Sequence, residues 1–503
     1  MVQGTASHCG KSLMVAALCR ILSNAGYRVA PFKAQNMSLN SFVTSDGKEI
    51  ARAQAVQALA ARIEATADMN PILLKPKGNM TSQVVLNGKP YMDISASNYY
   101  SYFARQAGIR SIKKSLGRLK AVFEIIVIEG AGSPAEINLY DREIANMKVA
   151  DIADAPVILV GDIDRGGVFA SIIGTLELLK PEHRRRIKGF VINKFRGDSA
   201  ILKPGLVQLQ SISKKPVLGV IPFIEGLQLP SEDSVALEDS GISQEPRIDI
   251  AVIRFPRISN FTDFESFEIM PNIRIRYVKS EAELGEPDSI ILPGTKNTIQ
   301  DLLWLENSGL GRKIVNMAKN KPTIGICGGY QILGKRIIDE GGIEGKVRGE
   351  FKGLGLLDVV THFRKYEKIT EQVLAESFAW TPIFGSLKSK ITCYEIHMGR
   401  TIVNSSARPA FKIVRRSGNT VNMNDGAVSN NSLIIGTYLH GLFENAKVRN
   451  SFLRYMMQRN DRKHTLKKKD SVQVWQESLD RLANIVENSL DMKKMFRILN
   501  LSG

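Results

Sequence analysis

The chain contains 503 residues, of which 44% are hydrophobic and 23% charged, a balance typical of globular proteins with about two to four domains. No apolar run approaches the ~20 residues that a membrane span needs, and the four cysteines lack metal or disulfide spacing, so we expect a soluble cytoplasmic protein with no membrane partner. The formal net charge of +18 is scattered along the chain without interleaved aromatic residues, which predicts a solvated basic surface and no nucleic-acid partner.

The first motif is a glycine-rich stretch that ends in Gly-Lys-Ser and precedes a helical run of small apolar residues. Such a loop surrounds nucleotide phosphates with backbone N–H groups, while the lysine reaches the outer phosphates and the serine hydroxyl ligates Mg²⁺. The first glycine lies one position further from the second than in the standard loop, and the alternative is a chance match in a surface turn. The predicted nucleotide-binding residues here are Gly4, Thr5, Gly10, Lys11 and Ser12.

A strand over 28–33 is predicted next, followed by a loop over 34–41 that is dense in amides and hydroxyls. Residues from Asp46 to about Ala67 are then expected to form a long alanine-rich helix. Asp46 and Glu49 fall where a carboxylate can reach a metal or a substrate. The alternative interpretation is that both acids cap this helix.

Buried-strand runs recur near residues 28, 122, 156, 189 and 217 with helical segments between them, which predicts a doubly wound parallel sheet. Glu129 follows the second of these runs, at the strand end where Mg²⁺ sites are built beside a phosphate loop. It is therefore our main metal candidate, with Ser12 and Asp46, and the alternative is a loop carboxylate without a role. Asn193 also ends a strand, where its amide can contact a purine edge.

A polar, acidic stretch separates this half of the chain from a second α/β series. We predict four segments: a nucleotide-binding domain over 1–230, a linker over 231–246, a second α/β domain over 247–446, and a helical extension over 447–503.

The second half is organised around Cys327, which lies between a short buried strand and a helix, with glycines on both sides. A thiol at such a turn lies near a helix N-terminus, which favours the nucleophilic thiolate. His440 lies about a hundred positions downstream and is the predicted base. The alternatives are a buried inert cysteine and His397 as a competing base, although we interpret His397 as structural or substrate-facing. Backbone N–H groups of Gly294, Thr295 and Gly328 are predicted to form an oxyanion hole.

These motifs together resemble the cobyric acid synthase family over almost the whole chain. The stretches that carry the resemblance are residues 2–12, 32–41, 49–54, 74–76, 256–264, 292–298, 394–399 and 438–443. The resemblance implies a dethiobiotin-synthetase-like P-loop domain with a doubly wound parallel sheet, followed by a class I glutamine amidotransferase-like α/β domain. It also implies that Gln35, Asn36, Ser38 and Asn40 bind the substrate.

The chemistry implied by the resemblance has two halves. Cys327, with His440 as base and proton donor, releases ammonia from glutamine. ATP and Mg²⁺ phosphorylate a corrinoid carboxylate, and ammonia attacks the acyl phosphate. The family amidates the b, d, e and g carboxylates of the a,c-diamide. The sequence leaves open whether the protein forms a homo-oligomer.

One departure concerns the residue that orients the histidine. Many class I amidotransferases carry a glutamate two positions after it, where this chain has Leu442. We do not expect nearby Glu444 to substitute, so the third member of a triad stays open. Two rivals remain: cobyrinic acid a,c-diamide synthase, which shares both domains, and a non-enzymatic P-loop nucleotide switch, which gives no reason for the Cys327 half.

Overall fold

A computed structural model describes most of the chain as two compact units. The described residues are 1–78, 80–231, 248–268, 270, 273–344, 347–364, 367–378, 381–384, 390–459 and 469–501. The first unit comprises Met1–Met37, Ile50–Leu229 and Trp475–Gly503, and the second comprises Ser38–Glu49 and Pro230–Val474. The predicted linker, apart from Ser231, lies outside the described residues, and the predicted domain boundaries stay predictions.

The first unit is built on a six-stranded parallel sheet rich in isoleucine and valine. Strands of this kind are buried on both faces by flanking helices, which is why they appear as continuous apolar runs. In spatial order the strands are Val217–Pro222, Ile187–Phe195, Val157–Asp162, Val2–Gly4, Ile125–Glu129 and Val29–Lys33.

A second, four-stranded sheet of this unit contains Gln35–Met37, Ile72–Gly78, Thr81–Leu86 and Lys89–Ser95. The helices that accompany the two sheets are Lys11–Asn24, Arg52–Ala60, Ala67–Met69, Ala96–Asn98, the π-helix Tyr99–Gly108, Ile109–Lys120, Met147–Ala153, Val168–Leu178, Pro181–Arg186, Ser199–Ser213 and Met492–Ile498, together with Ser471–Ser489, which begins in the second unit and continues into the first at Trp475. None of the described helices is both long enough and apolar enough to cross a membrane.

The helix predicted from Asp46 to about Ala67 is wrong at both ends. The structure has a β-hairpin of Ser41–Val43 and Glu49–Ala51, and the helix begins only at Arg52 and ends at Ala60. Asp46 and Glu49 therefore do not cap a helix. The hairpin turn is closed by a backbone hydrogen bond from Thr44 to Lys48, 2.8 Å long. Glu49 is held by tertiary contacts, which override a local helix propensity.

The second unit contains another six-stranded sheet, parallel except for its last strand. Its spatial order is Ile273–Val278, Ile248–Ile253, Ser289–Leu292, Thr323–Ile326, Ile434–Thr437 and Ala427–Val428. A four-stranded sheet contains Gly349–Lys352, Arg336–Asp339, Val359–His362 and Arg400–Val403, and a five-stranded sheet contains Asn419–Asp425, Phe411–Arg416, Lys368–Ser377, Ile391–Met398 and Leu439–His440.

Helices accompany these three sheets in the second unit. They are Phe261–Asp263, Glu265–Glu268, Glu281–Leu284, Thr298–Asn307, Leu310–Met317, Gly328–Leu333, Leu442–Glu444 and Ala446–Arg459. The prediction of two α/β halves built on parallel sheets is confirmed.

Candidate active site

Cys327 occupies the sharp turn between the strand Thr323–Ile326 and the helix Gly328–Leu333. Its φ of 54° and ψ of −110° are strained for a residue with a side chain, and such strain gathers at functional sites. The turn needs glycine at position 329, because a Cβ there would lie 1.9 Å from the Leu292 carbonyl oxygen. The Cys327 thiol is mostly buried and donates to the Ile396 carbonyl at 3.6 Å.

His440 lies beyond the carboxyl end of the neighbouring strand. The strands Thr323–Ile326 and Ile434–Thr437 pair in parallel, and the Cys327 N–H donates to the Thr437 carbonyl at 2.9 Å. Burial would lower the pKa of His440, but the Asp263 carboxylate, and after it the Cys327 side chain, outweigh burial and raise that pKa to about 10. The structure therefore brings the two predicted catalytic side chains together.

Asp263 is the acid that orients the histidine. His440 Nδ1 donates to Asp263 Oδ2 at 2.7 Å, and the Gly441 N–H donates to Asp263 Oδ1 at 2.9 Å. The Asp263 and His440 side chains are each 1% exposed, so water screens this ion pair little. Sequence reasoning missed Asp263 because it lies 177 residues from His440. The only signal was its place in a stretch that carries the family resemblance.

The three predicted oxyanion-hole residues lie beside this pair. A Cβ on Gly294 would lie 3.2 Å from His440 Cε1, and a Cβ on Gly328 would lie 2.6 Å from Thr295 Cγ2. The Thr295 hydroxyl donates to buried Asp301, which also accepts from the Arg257 guanidinium at 2.9 Å. Asp301 thus fixes the turn that carries Gly294 and Thr295.

His397, the competing base, has other contacts. Its ring stacks on Tyr438 with a centroid distance of 3.7 Å, and its Nε2 lies 3.6 Å from Glu395. The orienting carboxylate Asp263 bonds to His440 instead, which favours His440 as the base.

The glycine-rich loop of the first unit leads from the strand Val2–Gly4 to the helix Lys11–Asn24. Gly10 has a φ of 98°, and a Cβ there would meet Asn193 Nδ2 at 2.1 Å. Asn193 Nδ2 donates to the Cys9 carbonyl at 2.9 Å, so its side chain stabilises the conformation of the loop. The Thr5 N–H donates to the Val160 carbonyl at 3.0 Å. The purine contact predicted for Asn193 stays a prediction.

Ser12 and Glu129 meet at the helix N-terminus, as the sequence predicts. The Ser12 hydroxyl donates to Glu129 Oε1 at 2.8 Å, and Lys11 Nζ donates to the carbonyls of Ala6 at 2.8 Å and Gly132 at 3.0 Å. Oxygen ligands at the carboxyl end of a strand suit a hard cation such as Mg²⁺.

Two further side chains bond to Glu129 and were missed by sequence reasoning. Lys33 Nζ forms a buried ion pair with Glu129 Oε1 at 2.8 Å, and Gln57 Nε2 donates to Oε2 at 2.5 Å. Lys33 and Glu129 are register partners at the carboxyl ends of adjacent parallel strands. That shared position was the available signal, since parallel strand ends meet at one sheet edge.

The contacts found for the Asp46 side chain all lie within its own hairpin turn. It accepts from the Thr44 hydroxyl and forms a 2.6 Å ion pair with Lys48. Within the described residues, no three His, Cys, Asp or Glu side chains converge on a metal position. Nucleotide-bound Mg²⁺ uses only one or two protein carboxylates, so Ser12 and Glu129 fit it, and the metal role of Asp46 stays a prediction.

The four predicted substrate-binding residues divide between the units. Gln35 and Asn36 belong to the first, where Gln35 accepts from the Tyr99 hydroxyl at 2.6 Å and Asn36 donates to Gln54 at 3.0 Å. Ser38 and Asn40 belong to the second, where the Asn40 N–H donates to the Ser38 hydroxyl at 3.0 Å. Their role toward a substrate stays a prediction.

Each half of the chain matches the model of a known domain family. Residues 1–235 match the CobQ/CobB/MinD/ParA nucleotide binding domain, and residues 249–448 match the CobB/CobQ-like glutamine amidotransferase domain. A "Probable cobyric acid synthase" of Methanosarcina barkeri is 50% identical over 503 residues, which cover 100% of this chain and 99% of the relative. A "Cobyric acid synthase" of Pelotomaculum thermopropionicum is 48% identical over 510 residues, which cover 100% of this chain and 97% of the relative.

Solved structures resemble the chain only weakly. A glutamine amidotransferase from Thermotoga maritima aligns with a TM-score of 0.28 and 16% identity, covering 51% of this chain and 99% of that one, which is too low to carry an argument. The family assignment rests instead on full-length sequence identity and on the two domain matches. The chain belongs to the cobyric acid synthase family, and it is a glutamine-dependent ligase.

Proposed function

We propose that this chain converts cobyrinic acid a,c-diamide to cobyric acid, with ATP and glutamine as co-substrates, by amidating the b, d, e and g carboxylates. The observation that carries the proposal is the hydrogen-bonded pair of Asp263 and His440 beside the strained Cys327 turn. The nearly full-length relatives named cobyric acid synthase support the choice of substrate.

The second unit would release ammonia. His440, protonated because Asp263 raises its pKa, stabilises the Cys327 thiolate, which attacks the side-chain carbonyl carbon of glutamine. Backbone N–H groups of Gly294, Thr295 and Gly328 hold the oxyanion of the tetrahedral intermediate. His440 then donates its proton to the leaving amide nitrogen. Ammonia departs, and water assisted by neutral His440 hydrolyses the thioester to glutamate.

The first unit would activate the acid. The loop from Gly4 to Gly10 and the Lys11 ammonium hold the phosphates of ATP. A carboxylate oxygen of the corrinoid attacks the terminal phosphorus, which gives ADP and an acyl phosphate. Ammonia attacks the acyl carbon and phosphate leaves, which completes one amide.

Mg²⁺, for which Ser12 and Glu129 are suited ligands, would neutralise phosphate charge when bound. Lys33 supplies a second buried positive charge at this position. Its ammonium is held by Glu129, at the strand end where the reacting carboxylate and the terminal phosphate would meet. We place this reaction in the cytoplasm.

The test compares Cys327→Ser with Cys393→Ala, each supplied with glutamine or with ammonium. Cys393 is a matched control because it is a buried cysteine of the same unit, whose thiol pKa is raised far above its ordinary value by burial. We expect Cys327→Ser to lose amidation with glutamine and keep it with ammonium, and Cys393→Ala to use both.

Mass spectrometry of the corrinoid product decides the substrate. Four amides added to the a,c-diamide support the proposal. Two amides added to a corrinoid without amides would identify the a,c-diamide synthase instead. If folded Cys327→Ser lost amidation with both glutamine and ammonium, this would argue against a thiol site that is separable from the amidation site.

A further inference from the structure

Within the second unit, the chain passes twice between the five-stranded sheet and the six-stranded sheet. It leaves the five-stranded sheet after the strand Asn419–Asp425 and enters the six-stranded sheet at Ala427–Val428. It leaves the six-stranded sheet after Ile434–Thr437 and returns to the five-stranded sheet at Leu439–His440. We name these places the first and the second crossing. At each crossing a single residue separates the two strands.

The backbone at the first crossing packs directly on the strand that leads to the second. The two flanking strands of the six-stranded sheet pair antiparallel, with Ala427 opposite Gly436. Gly426, the residue of the first crossing, has a φ of 71°, and a Cβ there would lie 2.2 Å from the Gly436 carbonyl oxygen. The first crossing therefore needs glycine both for its conformation and for this close approach.

The Asp425 side chain joins the two crossings by hydrogen bonds. Its buried carboxyl accepts from the Thr437 hydroxyl through Oδ2 and from the Tyr438 N–H through Oδ1, the latter at 3.2 Å. The Thr437 hydroxyl also accepts from the Leu439 N–H at 3.1 Å. One carboxyl thus holds, directly or through one hydroxyl, the three consecutive residues that precede His440.

The second crossing also contacts the turn that carries the nucleophile. The Thr437 carbonyl accepts from the Cys327 N–H at 2.9 Å. The Tyr438 hydroxyl accepts from Gln331 Nε2 at 3.0 Å, and Gln331 lies on the helix that begins directly after Cys327. The residues that Asp425 holds therefore bond to the strained turn and to the helix that follows it.

The Asp425 carboxyl is a buried titratable group that the glutamine reaction proposed for this unit does not use. Burial, and after it the charge of Glu395, raise the pKa of Asp425 to about 7, although hydrogen bonds from Thr437 and from the N–H groups of Tyr438 and Gly426 oppose this rise. Acids perturbed in this way gather at functional sites. A buried polar network whose members are hydrogen-bonded also specifies one geometry, which suits a positioning role.

We propose that Asp425 is a positioning residue for the glutamine reaction: by bonding the two crossings together, it sets the distance between Cys327 and His440. Asp263 orients the imidazole through its ring nitrogen, whereas Asp425 fixes the chain that leads to the imidazole. This role rests on the proposed function and adds a residue to it. A displacement of about 1 Å between reacting groups can cost about 10²-fold in rate, so the effect should fall on kcat.

The experiment measures glutamate release by the full chain and compares Thr437→Val with Thr437→Ser. Valine has nearly the shape of threonine but lacks the hydroxyl that donates to Asp425, whereas serine keeps that hydroxyl. We expect Thr437→Val to lower kcat about 10- to 100-fold with little change in KM, and Thr437→Ser to retain most of kcat.

A second measurement reports on the catalytic pair without glutamine. The rate at which iodoacetamide alkylates Cys327 at pH 7, followed by peptide mass spectrometry, should fall together with kcat in Thr437→Val. The reason is that a displaced His440 stabilises less of the reactive thiolate. An unchanged alkylation rate and an unchanged kcat in folded Thr437→Val would overturn the inference.

A double-variant cycle tests whether Asp425 acts through Thr437. Asp425→Ala removes the acceptor of the hydroxyl, so combining it with Thr437→Val should lose little more kcat than Asp425→Ala alone. Losses that multiply in the double variant would contradict the proposed role. Thr437→Val and Thr437→Ser keep the test decisive if Asp425→Ala does not fold.

Asp249→Asn controls for a general loss of stability. Asp249 lies near the amino end of the strand Ile248–Ile253, at the sheet edge opposite to Cys327, and pairs with Arg276 at 2.8 Å. This variant should lower Tm and keep kcat with glutamine. If kcat fell as far in Asp249→Asn as in Thr437→Val at an equal loss of Tm, the positioning role would be refuted. Failure of the unaltered chain to release glutamate would instead refute the proposed function.

Discussion

Replacing Asp263 by Asn tests the most specific feature of the site. The variant keeps the shape and one acceptor oxygen, but an amide N–H₂ then faces His440 Nδ1, where the carboxylate accepted at 2.7 Å. The imidazole must take the other tautomer or turn away. In a comparable triad, the same change of the orienting acid lowers kcat about 10⁴-fold.

The size of the effect can also be reasoned from the pKa of His440. Its rise from 6.5 to about 10, against the lowering effect of burial, corresponds to ~5 kcal/mol in favour of the imidazolium. Without the Asp263 charge, burial lowers the pKa of His440 and only the Cys327 side chain still raises it, so we expect less imidazolium to be present to stabilise the Cys327 thiolate. We expect kcat/KM for glutamine to fall about 10³- to 10⁴-fold.

The assay measures glutaminase activity and ammonium-dependent amidation side by side across pH. Amidation from ammonium should be unchanged, and the alkaline limb of the remaining glutaminase activity should move to lower pH. Glu444→Gln is the control, because Glu444 is the first acidic residue that follows His440 in the sequence. This variant should keep glutaminase activity. A loss of less than about tenfold in Asp263→Asn, or a larger loss in Glu444→Gln, would refute the reasoning.

The raised pKa of His440 also predicts how the stability of the folded state depends on pH. A histidine whose pKa is raised by folding stabilises the folded state fully below its unfolded pKa of 6.5, and this contribution is lost as the pH rises through about 10. Asp263→Asn should therefore lower Tm most near pH 6, and the difference from the unaltered chain should shrink toward pH 10. An equal difference in Tm at both pH values would contradict this assignment.

Three other changes test the two units separately. Lys33→Met leaves the buried Glu129 charge unpaired, so it should cost ~3–5 kcal/mol of folding free energy by thermal or chemical unfolding, and adding Glu129→Gln should recover part of that cost. Gly10→Ala forces a side chain into a φ of 98° and against a neighbouring amide, so amidation should be lost with either nitrogen source while glutaminase activity persists. Asp301→Ala frees the Thr295 hydroxyl and the turn it fixes, so glutaminase kcat should fall about 10- to 100-fold with little change in KM, and unchanged kcat would exclude a positioning role.

The sequence by itself determined the local features of this protein. The strand-to-helix turns at Cys327 and at the phosphate loop could be predicted, because glycine spacing and apolar runs report backbone constraints over a few residues. The sequence also indicated that Glu129 ends a parallel strand beside the phosphate loop that precedes Ser12, and the two side chains are hydrogen-bonded in the structure.

Only the tertiary structure decided which distant groups meet. Asp263 and Glu129 each bond to partners remote in the chain, and sequence spacing holds no record of such contacts. The same reason explains why residues after Asp46 do not continue a helix. Glu49 is held by an ion pair to Lys368, 319 residues away, and a hairpin that satisfies this buried charge prevails over the helix propensity of its own residues.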